Sequence, residues 1–175
     1  MRIMNWVVRR LEKFLERTGR YYIIHSNYNG EPTPYLVRYV LFRTRWFSIY
    51  IHRFLLSDDG VPHDHPFNFI TYIAECGYWE ERWEKDGDKL GKPLKKIYRQ
   101  PGSWAARRKS DIHRVEVTFP HQLTDKHEAP LSLCLIGPIK RNTWGFYPEG
   151  KFVPAGEFLD DAHVKINNVP EKWRD

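Results

Sequence analysis

Sulfur is scarce in this 175-residue chain, which has two cysteines, Cys76 and Cys134, and two methionines. One pair of cysteines offers no framework for an exported domain built on disulfides, so a reducing, cytoplasmic setting is expected. Long apolar runs are lacking as well. Nothing approaches the run of about 18 apolar residues that a bilayer span requires. The opening "MRIMNWVVRRLEKF" interleaves charges with its apolar residues, unlike a secretion signal. No membrane partner is expected. Nor does any internal repeat, low-complexity tract or linker divide the sequence, which favours one domain over residues 1–175.

Aromatic residues, in contrast, are plentiful at 15%, with 7 Trp and 10 Tyr, alongside 29% charged and 41% apolar residues. The overall balance is that of a soluble globular protein. Rings and β-branched side chains suit pleated, half-buried surfaces. They fall in short runs: "YLVRYVLFR", "WFSIYIHRFLL", "FNFITYIAE", "GYWEERWEK", "LKKIYRQ", "SWAARR", "HRVEVTF", "LSLCLIG" and "NTWGFY". Gly, Pro, Asp and Asn separate them, which argues for an all-β sandwich or barrel over about residues 34–147. Ahead of these runs, Val7, Leu11, Phe14 and Leu15 recur at helical spacing within residues 5–18, and Gly19 follows as a stop. "NYNGEPTP" reads as a turn-rich connection, and residues 154–175 as a C-terminal extension.

The net charge is +6, and from Lys89 to Lys109 there are eight Lys or Arg and no acid. Nucleic acid therefore stays open as a partner, although a solvated hairpin explains the same run. The four histidines His25, His121, His127 and His163 lie in turn-rich or terminal segments and are expected at the surface.

The chemistry concentrates in "GVPHDHPFNF", residues 60–69. Alternate side chains of a strand share a face, so His63 and His65 would stand about 6 to 7 Å apart and can lean towards one cation. Further on, Gly77 precedes "YWEERWEK", and "RQPGSWAARRKSDIHRVEV" supplies a Pro-Gly turn, a strand and then His113. With Gly60, these landmarks resemble those of a cupin over about residues 45–147. The resemblance implies a double-stranded β-helix, or jelly-roll barrel, in which His63, His65 and His113 hold a divalent transition metal. More closely, "HDHP", "HRVE" and "WGF" are similar to the boxes of a family of small cupins from bacteria and their phages, placing the chain in such a cell.

One departure from the cupin pattern bears on the chemistry. Where cupins carry Glu four or five residues after the second histidine, this chain has Phe69 and Ile70. The ligand set implied is then three histidines, similar to that of the thiol dioxygenases, with Asn68 or Asp111 as the nearest candidates for a fourth contact. Of the serine, histidine and tyrosine those enzymes carry on the next strand, the matching positions here hold Ser132, Cys134 and Ile136. Cysteine oxidation is therefore not carried over.

Such a site suits a metal-dependent enzyme acting on a small polar molecule. Fe(II) would favour oxygenase chemistry, Zn hydrolysis or isomerisation, and Mn or Ni also accept imidazole. The other readings are a non-catalytic metal- or ligand-binding module and a nucleic-acid-associated protein, and cupin likeness implies a homodimer. Candidate pocket residues come from residues 46–55, where either the face of Tyr50 and His52 or that of Arg53 points inward, the latter able to clamp an anion. Trp79, Glu81, Trp104 and Cys134 are further wall candidates.

Overall fold

Helix α1 (Arg2–Arg17) ends at Gly19, whose φ of +64° admits glycine without strain. Its buried stripe differs from the one expected. Val8, Leu11, Glu12 and Leu15 face the sheet, whereas Phe14 is exposed. Glu12 sets this rotation, because its carboxylate meets Arg53 of the sheet beneath, and turning Phe14 inward would carry it away.

A computed structural model describes residues 2–28, 31–58, 61–117, 129–139, 143–161 and 166–167. Gly60, His121, His127 and His163 lie outside the described residues. The strands are β1 (Tyr21–Tyr28), β2 (Glu31–Arg43), β3 (Ser48–Phe54), β4 (Phe69–Glu75), β5 (Tyr78–Asp86) and β6 (Lys89–Arg99). Then come β7 (Trp104–Arg107), β8 (Ile112–Glu116), β9 (Leu131–Ile136), β10 (Gly145–Phe146), β11 (Val153–Pro154), helix α2 (Ala155–Asp161) and β12 (Ile166–Asn167). No helix among the described residues is long and apolar enough to cross a membrane.

One sheet runs β12-β1-β2-β3-β9-β4-β7 and a second runs β6-β5-β8. His63 bridges His113 of β8 on one side and Phe146 of β10 on the other, so the "HDH" segment is itself a strand of the second sheet. Counting barrel strands from β3 and including that segment as the second, the sheets read 1-8-3-6 and 2-7-4-5. This interleaved order is that of an antiparallel jelly roll, the architecture that the cupin resemblance implies, with α1 packed outside.

"NYNGEPTP" lies largely within strands rather than in a loop, since Tyr28 pairs with Glu31 and Asn27 with Pro32. Pro32 and Pro34 are tolerated because β2 pairs with β3 only from Leu36 onward, so one of its edges there has no ladder to interrupt. His25 falls in β1 and is half-buried, not on the surface as expected.

The two faces of the large sheet separate structure from chemistry. Tyr39, Ile51, Tyr72, Ala74 and Leu131 pack against Val8 and Leu15 of the helix. Arg53 points the same way. It is fully buried and donates to Glu12 from Nε at 2.7 Å and Nη2 at 2.6 Å, with Glu75 at 3.6 Å. Arg53 therefore does not clamp a ligand in the barrel, because its charge is spent on seating α1.

At the far end of the second sheet, β10 passes so close to β11 that a Cβ on Gly145 would lie 2.1 Å from the Val153 carbonyl oxygen. Gly145→Ala is accordingly expected to cost about 1–3 kcal/mol through forced backbone movement. Urea unfolding measures it, and an unchanged midpoint would show that the two strands part freely.

Candidate metal centre

His63 and His113 are placed by the backbone. Each donates its N–H to the other's carbonyl, at 2.9 and 3.0 Å, which makes them directly opposed residues of adjacent strands. His65, two residues on, shares the inward face. The intervening Asp64 faces away and is fully buried. Its Oδ1 accepts the Gly145 N–H at 2.9 Å and its own N–H donates to Gly145 O at 3.0 Å, tying "HDH" to "WGF".

The result is a converging trio. One nitrogen from each of His63, His65 and His113 lies within 4.8 Å of the others, and Nε2 of His65 is 2.9 Å from Nε2 of His113. Ring centroids are 4.9 to 5.1 Å apart. Nδ1 of His113 lies 3.1 Å from Oε1 of Glu80, and an ionised carboxylate can only accept, so Nδ1 carries a proton and Nε2 is the nitrogen turned towards the other two rings. Glu80 is anchored in turn by Arg107, in two contacts, and by Arg99 Nε at 2.7 Å. Burial pushes the Glu80 carboxyl upward, but hydrogen bonds from His113 and Arg107 outweigh it and hold the group well below the usual carboxylate range. Nδ1 of His63 sits 3.4 Å from Val61 O.

Burial is the main force keeping His63 and His65 unprotonated, with neighbouring His113 adding to it and Asp58 opposing it at His63. Neutral imidazole is the ligating form. Around the trio stand rings: Phe69 at 4.8 Å and Phe67 at 5.5 Å from His65, and Phe146 at 5.3 Å from His63. The interior place of the usual cupin glutamate is thus held by Phe69, while Ile70 faces outward, 43% exposed. The donor set fits a first-row divalent ion that accepts imidazole. Among the described residues no carboxylate joins it.

The remaining candidates divide by strand parity. Tyr50, His52 and Cys134 point into the barrel beside Phe69 and are buried. Burial pushes the Cys134 thiol up to about 12, so it is a neutral wall residue. Asn68 is exposed and does not contact the trio, because its Oδ1 accepts the Lys109 N–H at 2.8 Å to close a loop. Asp111 precedes β8, so the alternation counted back from His113 does not reach it. It pairs with Arg82 at 3.0 Å and accepts the Arg108 N–H at 3.1 Å. Trp79, Glu81 and Trp104 lie on outer faces: Trp79 rests on Tyr98, Glu81 pairs with Lys96 and Arg114, and Trp104 is 52% exposed beside Tyr72.

Sequence reasoning missed Glu80, Arg38 and Tyr22. In "YWEERW" both faces carry an aromatic and an acid, so alternation alone could not choose Glu80 over Glu81. Arg38 lies outside residues 46–55, the stretch expected to line the pocket, yet it pairs directly with His52 across β2 and β3.

The fold and the site together define a jelly-roll barrel with an interior three-histidine group. No family model matches the chain, and no curated protein matches it. Among solved structures it is similar to an Fe(II) form of HppE at 13% identity, TM-score 0.46, over 66% of this chain and 56% of that one. It is also similar to the DMSP lyase DddQ from Ruegeria pomeroyi DSS-3 at 15% identity, TM-score 0.43, over 75% of this chain and 54% of that one. A third is a structure described as a putative mannose-6-phosphate isomerase from Ralstonia eutropha JMP134, at 18% identity, TM-score 0.45, over 61% and 87%. The match spans little more than half the length of the first two. The jelly-roll assignment rests on the strand order of this chain.

Proposed function

We propose that this protein is a metal-dependent enzyme of the non-haem Fe(II) oxygenase type, acting on a small polar molecule inside the barrel. The observation that carries the reading is the convergence of one nitrogen from each of three imidazoles on a single point, with Glu80 holding a proton on Nδ1 of His113. His63, His65 and His113 would hold the ion. With Fe(II) such an ion supplies dioxygen activation, since neutral ligands leave its charge uncancelled and three protein ligands leave its shell part-filled.

The other roles belong to side chains on the page. Glu80 keeps the His113 proton on Nδ1, so that Nε2 stays free to ligate. Phe67, Phe69 and Phe146 cover part of the half-buried His63 and His65 rings and lower the local dielectric on that side. Tyr50 and His52, stacked with centroids 6.0 Å apart, form the opposite wall, where a small polar molecule would lie. His52 is held unprotonated by burial and then by the charge of Arg38, so it offers a hydrogen bond rather than a cation.

Metal analysis of protein purified without chelator tests the reading. Near-stoichiometric metal is expected in the wild type and its loss in His63→Ala/His113→Ala. After anaerobic loading with Fe(II), nitric oxide should give a ferrous-nitrosyl paramagnetic resonance signal in the wild type alone. Equal metal in both proteins would end the proposal.

A further inference from the structure

A row of paired residues crosses the barrel wall: Tyr22 on β1, Arg38 on β2, His52 on β3 and Ser132 on β9. Arg38 Nε donates to His52 Nε2 at 3.1 Å and Nη1 donates to Tyr22 Oη at 3.1 Å. The guanidinium carbon also lies 5.7 Å and 5.3 Å from the ring centroids of Tyr22 and Tyr50. None of these partners is a carboxylate. Arg53, Arg82, Arg99, Arg107 and Arg114 each meet a carboxylate, but among the described residues none pairs with Arg38.

A guanidinium among aromatic walls loses solvation that stacking on two rings restores only in part. Two of its five N–H groups are used, leaving donors on Nη1 and Nη2, the two arms of the fork that binds an oxyanion bidentately. Tyr22 and Tyr50, which flank the guanidinium, pack in one cluster with Phe69, whose ring centroid lies 4.8 Å from that of His65, so the guanidinium and the imidazoles share one interior.

We propose that Arg38, backed by Tyr22, is an anion-binding subsite that receives the carboxylate or phosphoryl group of the small molecule acted on at the three histidines. The assignment of the reacting end rests on the function proposed above, whereas the subsite stands on the Arg38 geometry alone. An anion there supplies the counter-charge that the protein withholds. The ligand is thereby held at one end, with its remainder directed towards His65.

The test uses metal-free full-length protein titrated with acetate, methylphosphonate and, as a neutral control, acetamide, followed by intrinsic fluorescence or NMR shifts. At least one anion is expected to bind the wild type and His63→Ala/His113→Ala alike, and acetamide neither. Arg38→Gln should weaken that anion about tenfold or more, and Arg38→Lys by less. Preference for acetate assigns a carboxylate ligand, and preference for methylphosphonate a phosphoryl one. The subsite is overturned if no anion binds the wild type, if acetamide binds as well as acetate, or if folded Arg38→Gln binds within twofold of wild type. Should Arg38→Gln lose its circular dichroism signature, folded Arg38→Lys decides, a weakened anion with acetamide still excluded supporting the subsite and anion binding unchanged from wild type overturning it. Loss of metal from the double histidine variant alongside retained anion binding separates the two proposals.

Discussion

Glu80→Gln is expected to lower metal affinity by about 10- to 100-fold while leaving all three imidazoles in place. The carboxylate holds the His113 proton on Nδ1 and is itself gripped by Arg107 and Arg99. An amide carries no charge, so it orients the ring more weakly and leaves Arg107, which is buried, without a counter-charge. Competition for Zn(II) against a chromophoric chelator measures the affinity, and an unchanged value would mean that Glu80 does not orient the ligand. The same variant should respond differently to acid. A carboxyl held below its unfolded value of about 4.3 adds stability that is fully present above that value and is lost as pH falls through the folded pKa. Below about pH 4 the wild type is therefore expected to lose stability with acid more steeply than Glu80→Gln, as read from unfolding midpoints across pH.

Arg53→Met is expected to destabilise the fold by about 3–5 kcal/mol, the usual consequence of leaving one buried ion without its partner. Arg53 is 0% exposed and Glu12 1%, so neither can recruit water when the other is removed. Glu12→Leu should cost a similar amount, and the pair Glu12→Leu/Arg53→Met distinctly less than the two costs added, because the double change removes both ions together. Urea denaturation of the three variants measures this coupling. Strictly additive losses would show that the ion pair is not what seats α1 on the sheet.

The barrel itself was legible in the sequence because its strands are short, ring-rich and separated by turn residues, a pattern that depends on local preference alone. The "HDH" spacing and His113 were legible for a related reason: alternation along a strand and the "HRVE" landmark need no knowledge of the barrel's interior. Which residues surround them was harder to read. Arg53 and Arg38 are both arginines in ring-rich strands, and only the placing of α1 sends Arg53 outward to Glu12 and leaves Arg38 inside beside His52. Likewise Glu80 and Glu81 are adjacent acids, and the pairing of Glu80 with Val115 sets it on the inner face next to His113. These assignments depend on register between distant strands, which composition does not encode. Asn68 and Asp111 lie close to the histidines in sequence, yet their side chains close loops instead.

The reciprocal hydrogen bonding of His63 and His113 makes the site digital rather than graded. A strand has two sides, so slipping the segment by a single residue would turn both imidazoles outward and bring Asp64 in, replacing a neutral nitrogen receptor with an acidic one. Point substitutions nearby can tune such a centre by degrees. A residue inserted just before His63, within the paired stretch that follows Pro62, would instead switch its chemical type, so the spacing of this stretch is as much a part of the site as its histidines.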